Sequence, residues 1–596
     1  MQNILSFLTI LALFSCQPDT SIDQKVDDII KQMTTAEKVG QMTQIDHRFL
    51  DDHEDITDYA IGSLLSGGGS HPKENTHKAW VDLYNGYQEK ALASRLGIPL
   101  IYGIDAVHGH NNVKGATIYP HNIGLGATGN PEIVRSVSHA TSSEVAATGI
   151  NWTFAPCIAT PQDYRWGRTY EGFSSDPKLV LDLGVAAVEG YQSSTKKNPR
   201  KVIACAKHFI GDGNTIYGTG INNLVDRGNT VLTKESLKKT LIPVYQAAID
   251  AGVETVMASY NSWNGVKCHG SKELLTDILK VEMGFDGFVI SDWAGIDEIP
   301  GDYKSDIVTS INAGMDMVMV SGEGEPYKKF MALLTEAIQE ELIPMSRIDD
   351  AVSRILRVKF RAGLFDDPLM DYDYLSEIGS DENRQIGRDA VRQSVVVLKN
   401  ESILPLSNSN GKVRWSKIVV AGRGADNLGM QCGGWTIDWQ GGQGDITDGT
   451  TILEGLRENA PLGIEVVSDP LANSVKGDLA IVVIGEDPYT EFFGDRDSLN
   501  LNEEDLQVIE NAKAQGMKVV VLLISGRPMN IADHFDNWDA FAAIWLPGSE
   551  GEGVADVLFG NYNPTGRLSF PWPVHAEEGT SASSMLYNLG AGLSYE

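Results

Sequence analysis

The residues of this chain whose types invite chemistry are carboxylates standing at the ends of short apolar runs. Asp292 closes Gly287-Phe288-Val289-Ile290-Ser291-Asp292, with Trp293 next. A carboxylate behind an apolar strand sits at its tip, and the indole beside it offers a flat face to the C–H side of a sugar ring. Hydrolysis at an acetal carbon needs such a carboxylate as nucleophile or base, and a second carboxyl to protonate the departing oxygen. The same Asp also reads as an N-cap at a strand-to-helix turn. Glu491 lies in Gly485-Glu486-Asp487-Pro488-Tyr489-Thr490-Glu491, behind another apolar run, and Pro488 marks a loop there. Glu486 and Glu491 both reach toward a cleft, or both belong to a solvated acidic loop. Residues 431–449 hold six Gly and two Trp without a following Gly-Lys-Ser/Thr, which excludes a phosphate cradle. Trp435 or Trp439 on that loop stacks on a ligand or fills a core. Lys207-His208 follow Ala204-Cys205-Ala206 and leave three readings open: a Schiff-base lysine, donors to sugar hydroxyls, and a structural ion pair with a neighbouring Asp.

The elements that position these residues follow from the apolar pattern. Runs at 98–102, 152–154, 202–206, 253–257, 285–290 and 315–320 are bounded by turn residues, as buried parallel strands are. Helical stretches at 234–251 and 271–281 suit crossovers, and 25–42 reads as an amphipathic helix. Most runs finish in a polar residue: Asp105, Lys207-His208, Tyr260-Asn261, Asp292 and Ser321. In a (β/α)8 barrel the site lies at the carboxyl ends of the strands, so these residues would converge. Residues 363–382 are acidic with Gly and Pro and read as a linker. A helix at 383–398 and strands at 418–420, 479–484, 519–524 and 542–546 predict a second layered α/β unit. The expected organisation is an export segment 1–20, a barrel 21–364, a linker 365–382 and an α/β sandwich 383–596.

The chain has 596 residues, 80 acidic and 48 basic, for a net charge of -32. Such a surface repels nucleic acid and anionic lipid. Cys16, Cys157, Cys205, Cys268 and Cys432 show no metal-ligand spacing, so neither a disulfide scaffold nor a Cys-based metal site is expected. Residues 4–14 form an apolar run of 11, short of the roughly 20 that span a bilayer but of signal-peptide length. Leu13-Phe14-Ser15-Cys16 resembles a bacterial lipobox. We therefore expect export to the periplasm or outer membrane with a lipid anchor at Cys16; an ordinary secretory signal reads the same run.

Taken together, ordered segments across nearly the whole chain resemble glycoside hydrolase family 3, in its β-glucosidase and β-D-glucan exohydrolase branch. They include YGIDAVHGHNNVKGATIYPHNIGLGAT, NWTFAPCIATPQDYRWGRTYEGFSSDP, ACAKHFIGDG, VMASYNSWNG, GFDGFVISDW, CGGWTIDWQGG, GEDPYTEFFGD, LLISGRP and WLPGSEGEGVADVLFGNYNPTGRLSFPWP. The resemblance implies a (β/α)8 TIM-like barrel followed by an α/β sandwich, with the site between them. It implies Asp292 as nucleophile and Glu491 as acid/base. Asp105, Arg168, Lys207, His208 and Tyr260 would hold the first sugar, and Trp293 and Trp439 would clamp the next. The expected reaction releases glucose from the non-reducing end of β-glucosides with retention, through carboxyl groups about 5–5.5 Å apart, with no metal and no cofactor. General acid work favours a raised Glu pKa. KHFIGDGNT lacks the His-bearing acid/base pattern of the family's hexosaminidases. The end at Gly592-Leu593-Ser594-Tyr595-Glu596 implies a form without the fibronectin-like domain of many relatives. β-Glucosides or β-glucan oligosaccharides are the expected partners of a monomer or homodimer, with β-xylosides less favoured. Two other classes fit parts of the pattern: a Schiff-base lyase using Lys207, and a non-catalytic glycan-binding lipoprotein.

Overall fold

The computed structural model describes residues 21–194, 200–322, 326–407 and 414–595. The export segment 1–20 and Cys16 lie outside the described residues. Eight short strands form a parallel ring: β1 (Thr43–Asp46), β2 (Ser63–Ser66), β3 (Ile101–Ile104), β4 (Trp152–Thr153), β5 (Cys205–Phe209), β6 (Thr255–Ala258), β7 (Phe288–Ile290) and β8 (Val318–Val320). β8 pairs with β1, and β1 to β4 follow in order. β5, β6 and β7 form a second run. Bridges Trp152↔Ile203 and Ile290↔Met317 join the two runs and close the barrel.

Six of these strands overlap the apolar runs; β1 and β2 do not, because their sequences TQID and SLLS carry polar residues. Those polar residues are buried all the same. The Gln44 side-chain amide donates to Ser63 Oγ at 2.8 Å, and the Ser63 hydroxyl donates to the Ile101 carbonyl at 2.7 Å, so polar partners for these groups lie inside the ring. Helices also break where local chemistry demands. The stretch 25–42 is two helices, Ile22–Ile30 and Thr35–Gln41, because Thr34 and Glu37 form a capping box that starts the second. Pro243 opens a new helix, Ile242–Asp250, inside the stretch read as one. At the amino ends of the strands, the Lys359 ammonium donates to Gln41 Oε1, Gly62 O and Pro99 O at 2.7–2.8 Å. Burial pushes its pKa down to about 7.

The segment expected to be a linker is strapped to the barrel instead. The Tyr84 hydroxyl donates to Pro368 O at 2.9 Å and Asn85 Nδ2 to Met370 O at 2.8 Å, while Met370 and Ile378 are buried.

Past the helix Asp381–Ser394, a six-stranded sheet is built from β9 (Val396–Asn400), β10 (Lys417–Ala421), β11 (Glu465–Ser468), β12 (Leu479–Gly485), β13 (Lys518–Ile524) and β14 (Ala540–Trp545). The order is β9-β14-β13-β12-β10-β11, with β9 antiparallel to β14 and the other pairs parallel. From β10 the chain winds outward to β11, then returns past β10 to β12. Open α/β sheets bind ligands at the carboxyl ends of strands flanking such a reversal. The Gly- and Trp-rich loop leaves β10 there, and the loop of Glu491 leaves β12.

Candidate active site

The carboxyl ends of the barrel strands and the loops after β10 and β12 enclose a cavity of about 320 Å³. That is near the lower limit for small-ligand pockets. All nine nominated residues line it. Asp105 follows β3, Arg168 lies beyond β4, Lys207 and His208 are in β5, Tyr260 follows β6, and Asp292 and Trp293 follow β7. Trp439 and Glu491 close it from the second sheet. Asn261, grouped with them by its strand-end position, instead bonds inward to Thr230 Oγ1 at 3.1 Å. Ser321 is buried outside the lining.

Asp292 is held by its surroundings in one orientation. Its backbone N–H donates to His269 Nε2 at 3.0 Å, and the Trp293 N–H donates to its Oδ1 at 2.7 Å. Oδ2 has no hydrogen-bond partner among the described residues and stands 3.6 Å from His208 Nε2. One carboxylate oxygen is thus pinned and the other is available to react. Burial, opposed by Arg168, pushes the Asp292 pKa up to about 6. Asp105 is also pushed up to about 6 by burial, against the pull of Lys207, whose Nζ lies 3.6 Å from Asp105 Oδ1.

Glu491 begins a 3-10 turn, Glu491–Gly494, behind Thr490. Arg227 Nη2 donates to its Oε2 at 3.0 Å, and Arg168 Nη1 lies 3.8 Å from its Oε1. Glu491 has φ 49°, Arg227 58°, Ala294 49°, Trp435 67° and Ile437 63°. Each is in the left-handed region, which costs a non-glycine residue about 1–3 kcal/mol. Strain of this kind gathered around one pocket is held by the packing behind it, and here that packing is visible. Gly167 lies so close to the Glu491 carbonyl that a Cβ would come within 2.0 Å of the oxygen. Asp495 accepts from the N–H groups of Gly167, Val225 and Asp226 at 2.7–2.9 Å.

The remaining groups form the polar floor. Arg168 makes a two-pronged pair with Glu171 at 2.8 and 2.9 Å, and its Nη2 reaches His208 Nε2 at 3.1 Å. Burial and the nearby Arg168 and Lys207 charges hold the His208 pKa well below the usual imidazole range. The Tyr260 hydroxyl donates to the Trp293 carbonyl at 2.5 Å, so this residue fixes Trp293 rather than offering a free hydroxyl. Trp435 is buried over Lys207, while Trp439 is half-buried at the rim.

The structure adds Arg227, Arg48 and Glu171, which sequence reasoning missed. Arg227 stacks on the Tyr260 ring at 3.7 Å and pairs with Glu298 at 2.6 Å. Arg48 follows the unforeseen β1. Glu171 stood in a quoted motif three residues from Arg168, a spacing that already signalled a pair. Glu486, by contrast, turns away from the cavity. It takes a hydrogen bond from the Tyr489 hydroxyl at 2.8 Å and pairs with the buried Arg527 at 3.1 Å. Among the described residues one group, Cys157, His208 and Asp212, brings potential metal ligands within 4.8 Å. His208 Nδ1 already bonds Asp212 Oδ2 at 2.8 Å, and burial raises the Cys157 thiol, so a hydrogen-bonded cluster accounts for it. Cys157, Cys205, Cys268 and Cys432 are free buried thiols.

Residues 34–358 match the model of the glycosyl hydrolase family 3 N-terminal domain, and residues 395–595 match that of its C-terminal domain. The chain belongs to glycoside hydrolase family 3. This family 3 enzyme is 31% identical to a lysosomal beta glucosidase of Dictyostelium discoideum, over 96% of this chain and 76% of that protein. It is 30% identical to a periplasmic beta-glucosidase of Salmonella typhimurium, over 92% of this chain and 74% of the relative. The structure of an exo-1,3/1,4-beta-glucanase from a Pseudoalteromonas species superposes with a TM-score of 0.89 at 38% identity. That match covers 98% of this chain and 75% of the glucanase. The chain is thus a glycoside hydrolase built as a TIM-like barrel with an α/β sandwich, as its motifs imply.

Proposed function

We propose that this enzyme removes glucose from the non-reducing end of β-glucosides and β-glucan oligosaccharides with net retention. The observation that carries the reading is the pairing across one small cavity of Asp292, with one oxygen pinned and one free, and Glu491 from the other domain. Asp292 Oδ2 attacks the anomeric carbon as the glycosidic C–O bond breaks, and Glu491 gives its proton to the departing oxygen. The product of this step is a glycosyl ester on Asp292. Ionised Glu491 then takes a proton from water, whose oxygen attacks the same carbon and releases the sugar with its original configuration. Arg168, Lys207, His208 and Asp105 offer the donors and acceptors that a ring of hydroxyls requires. A cavity of about 320 Å³ suits a chain end rather than a chain middle. The likeness to two beta-glucosidases and to an exo-1,3/1,4-beta-glucanase supports glucose as the sugar.

Asp292→Ala should lower hydrolysis of an aryl β-glucoside by more than about a thousandfold, and proton NMR should show the β-anomer first. Near-normal turnover would sink the nucleophile, and a first-formed α-anomer would sink retention. We further propose export with lipidation at Cys16, supported by the apolar run 4–14 and by the periplasmic relative. Among the described residues, no helix is long and apolar enough to cross a membrane. Labelling with radioactive palmitate in a Gram-negative host should mark the chain and fail for Cys16→Ala.

A further inference from the structure

Directly after the acid/base, the chain carries two phenylalanines that the reaction does not use. Phe492 is half-buried, and Phe493 is 60% exposed. Their ring centroids lie 4.5 Å apart. Trp439, which lines the cavity, meets Phe493 edge-on at 5.6 Å and Phe492 at 6.3 Å. On the inner side the Arg227 guanidinium lies 5.5 Å from the Phe492 ring. The result is an unbroken aromatic ledge running from the cavity rim out to solvent.

Position in the chain says which part of a substrate meets this ledge. Glu491 must touch the glycosidic oxygen to protonate it. The sugar on the near side of that oxygen lies in the cavity, and the leaving portion must extend outward past the residues next to Glu491. Trp439 borders both spaces. The ledge is uncharged and apolar except for Arg227, which fits the C–H faces of neutral glucosyl rings.

We propose that Phe493, supported by Phe492 and the edge of Trp439, forms an outer subsite for the third glucosyl residue of a β-glucan oligosaccharide, counted from the non-reducing end. The proposal rests on the exo-β-glucosidase reading above. It makes chain length a determinant of specificity: a disaccharide ends before the ledge, and a trisaccharide reaches it. Aromatic contacts of this kind are worth enough to change KM by about three- to tenfold.

The test compares wild type, Phe493→Ala and Phe493→Trp on a β-linked disaccharide, the matching tri- and tetrasaccharides, and p-nitrophenyl β-glucoside. We expect wild type to prefer the trisaccharide to the disaccharide. Phe493→Ala should lose that preference through KM, by about three- to tenfold, with the disaccharide and aryl glucoside unchanged. Phe493→Trp should keep it. A Phe493→Ala variant that retains the wild-type chain-length dependence overturns the subsite. So does one that loses all substrates equally, or the aryl glucoside alone. Wild type inactive on every β-glucoside would instead overturn the underlying reading. Calorimetry of trisaccharide and disaccharide binding to Asp292→Ala, with and without Phe493→Ala, then still decides the subsite. A longer ligand that gains nothing from Phe493 rejects it.

Discussion

Asp292 and Asp105 are buried together, and burial is the main reason that both pKa values stand at about 6. The nucleophile role proposed for Asp292 requires an ionised carboxylate, so rate should be lost as pH falls through the folded value. The acid limb of kcat/KM, which reports the free enzyme, should therefore have its midpoint near pH 6 instead of near 4. Lys207 pulls both carboxyls down, so Lys207→Met should move the limb to higher pH. A limb that stays in place would show that neither Asp governs it. Arg227 works through Glu491, whose Oε2 it holds at 3.0 Å. Arg227→Met should cut kcat about ten- to a hundredfold while the enzyme stays folded, because a small misplacement of a reacting group is enough. Azide, which needs no general base to attack, should restore turnover of an activated aryl glucoside. The sequence displayed Asp292 because a lone acid behind an apolar strand is visible. It hid Arg227, because that residue stands 18 positions past the end of β5 in a long loop and its partners, Tyr260, Glu298 and Glu491, are distant in sequence.

At the scale of elements, the loops after β10 and β12 are useful only if they are held at the barrel mouth. Gly167, in the barrel loop after β4, meets the Glu491 loop so closely that no side chain fits beside the Glu491 carbonyl. Gly167→Ala must push the two loops apart. It should cost about 1–3 kcal/mol of stability and a larger share of kcat, read by thermal melting and turnover on one preparation; unchanged turnover would mean that the contact does not position the acid. Strand ends were legible because barrel strands buried on both faces are apolar. β1 and β2 escaped because Gln44 donates to Ser63 and Ser63 to the Ile101 carbonyl inside the ring, partners that only the strand pairing reveals. The strap at 363–382 escaped for a related reason. Its acidic surface says solvent, while its anchors are backbone carbonyls of Pro368 and Met370, which no composition records.

For the whole molecule, the joint between the two units depends on Arg527. Its guanidinium pairs with Glu486 and donates to Tyr164 O at 3.0 Å on the barrel side and to Gly494 O at 2.6 Å beside the acid loop. Arg527→Met leaves Glu486 buried without its cation and should cost about 3–5 kcal/mol. In a urea titration followed by activity and by tryptophan fluorescence, activity should vanish with the first transition. Coincident loss of both signals at the wild-type midpoint would show that the pair does not secure the joint. On the reading proposed above, the chemistry falls to two of the 80 carboxylates.

Those two stand about 200 residues apart in the chain, on separate sheets. A ribosome adding about 5–20 residues each second delivers Glu491 roughly 10–40 s after Asp292. On the roles proposed above, through that interval the nascent barrel owns a nucleophile with no proton donor, and docking of the second unit is the event that brings the two together.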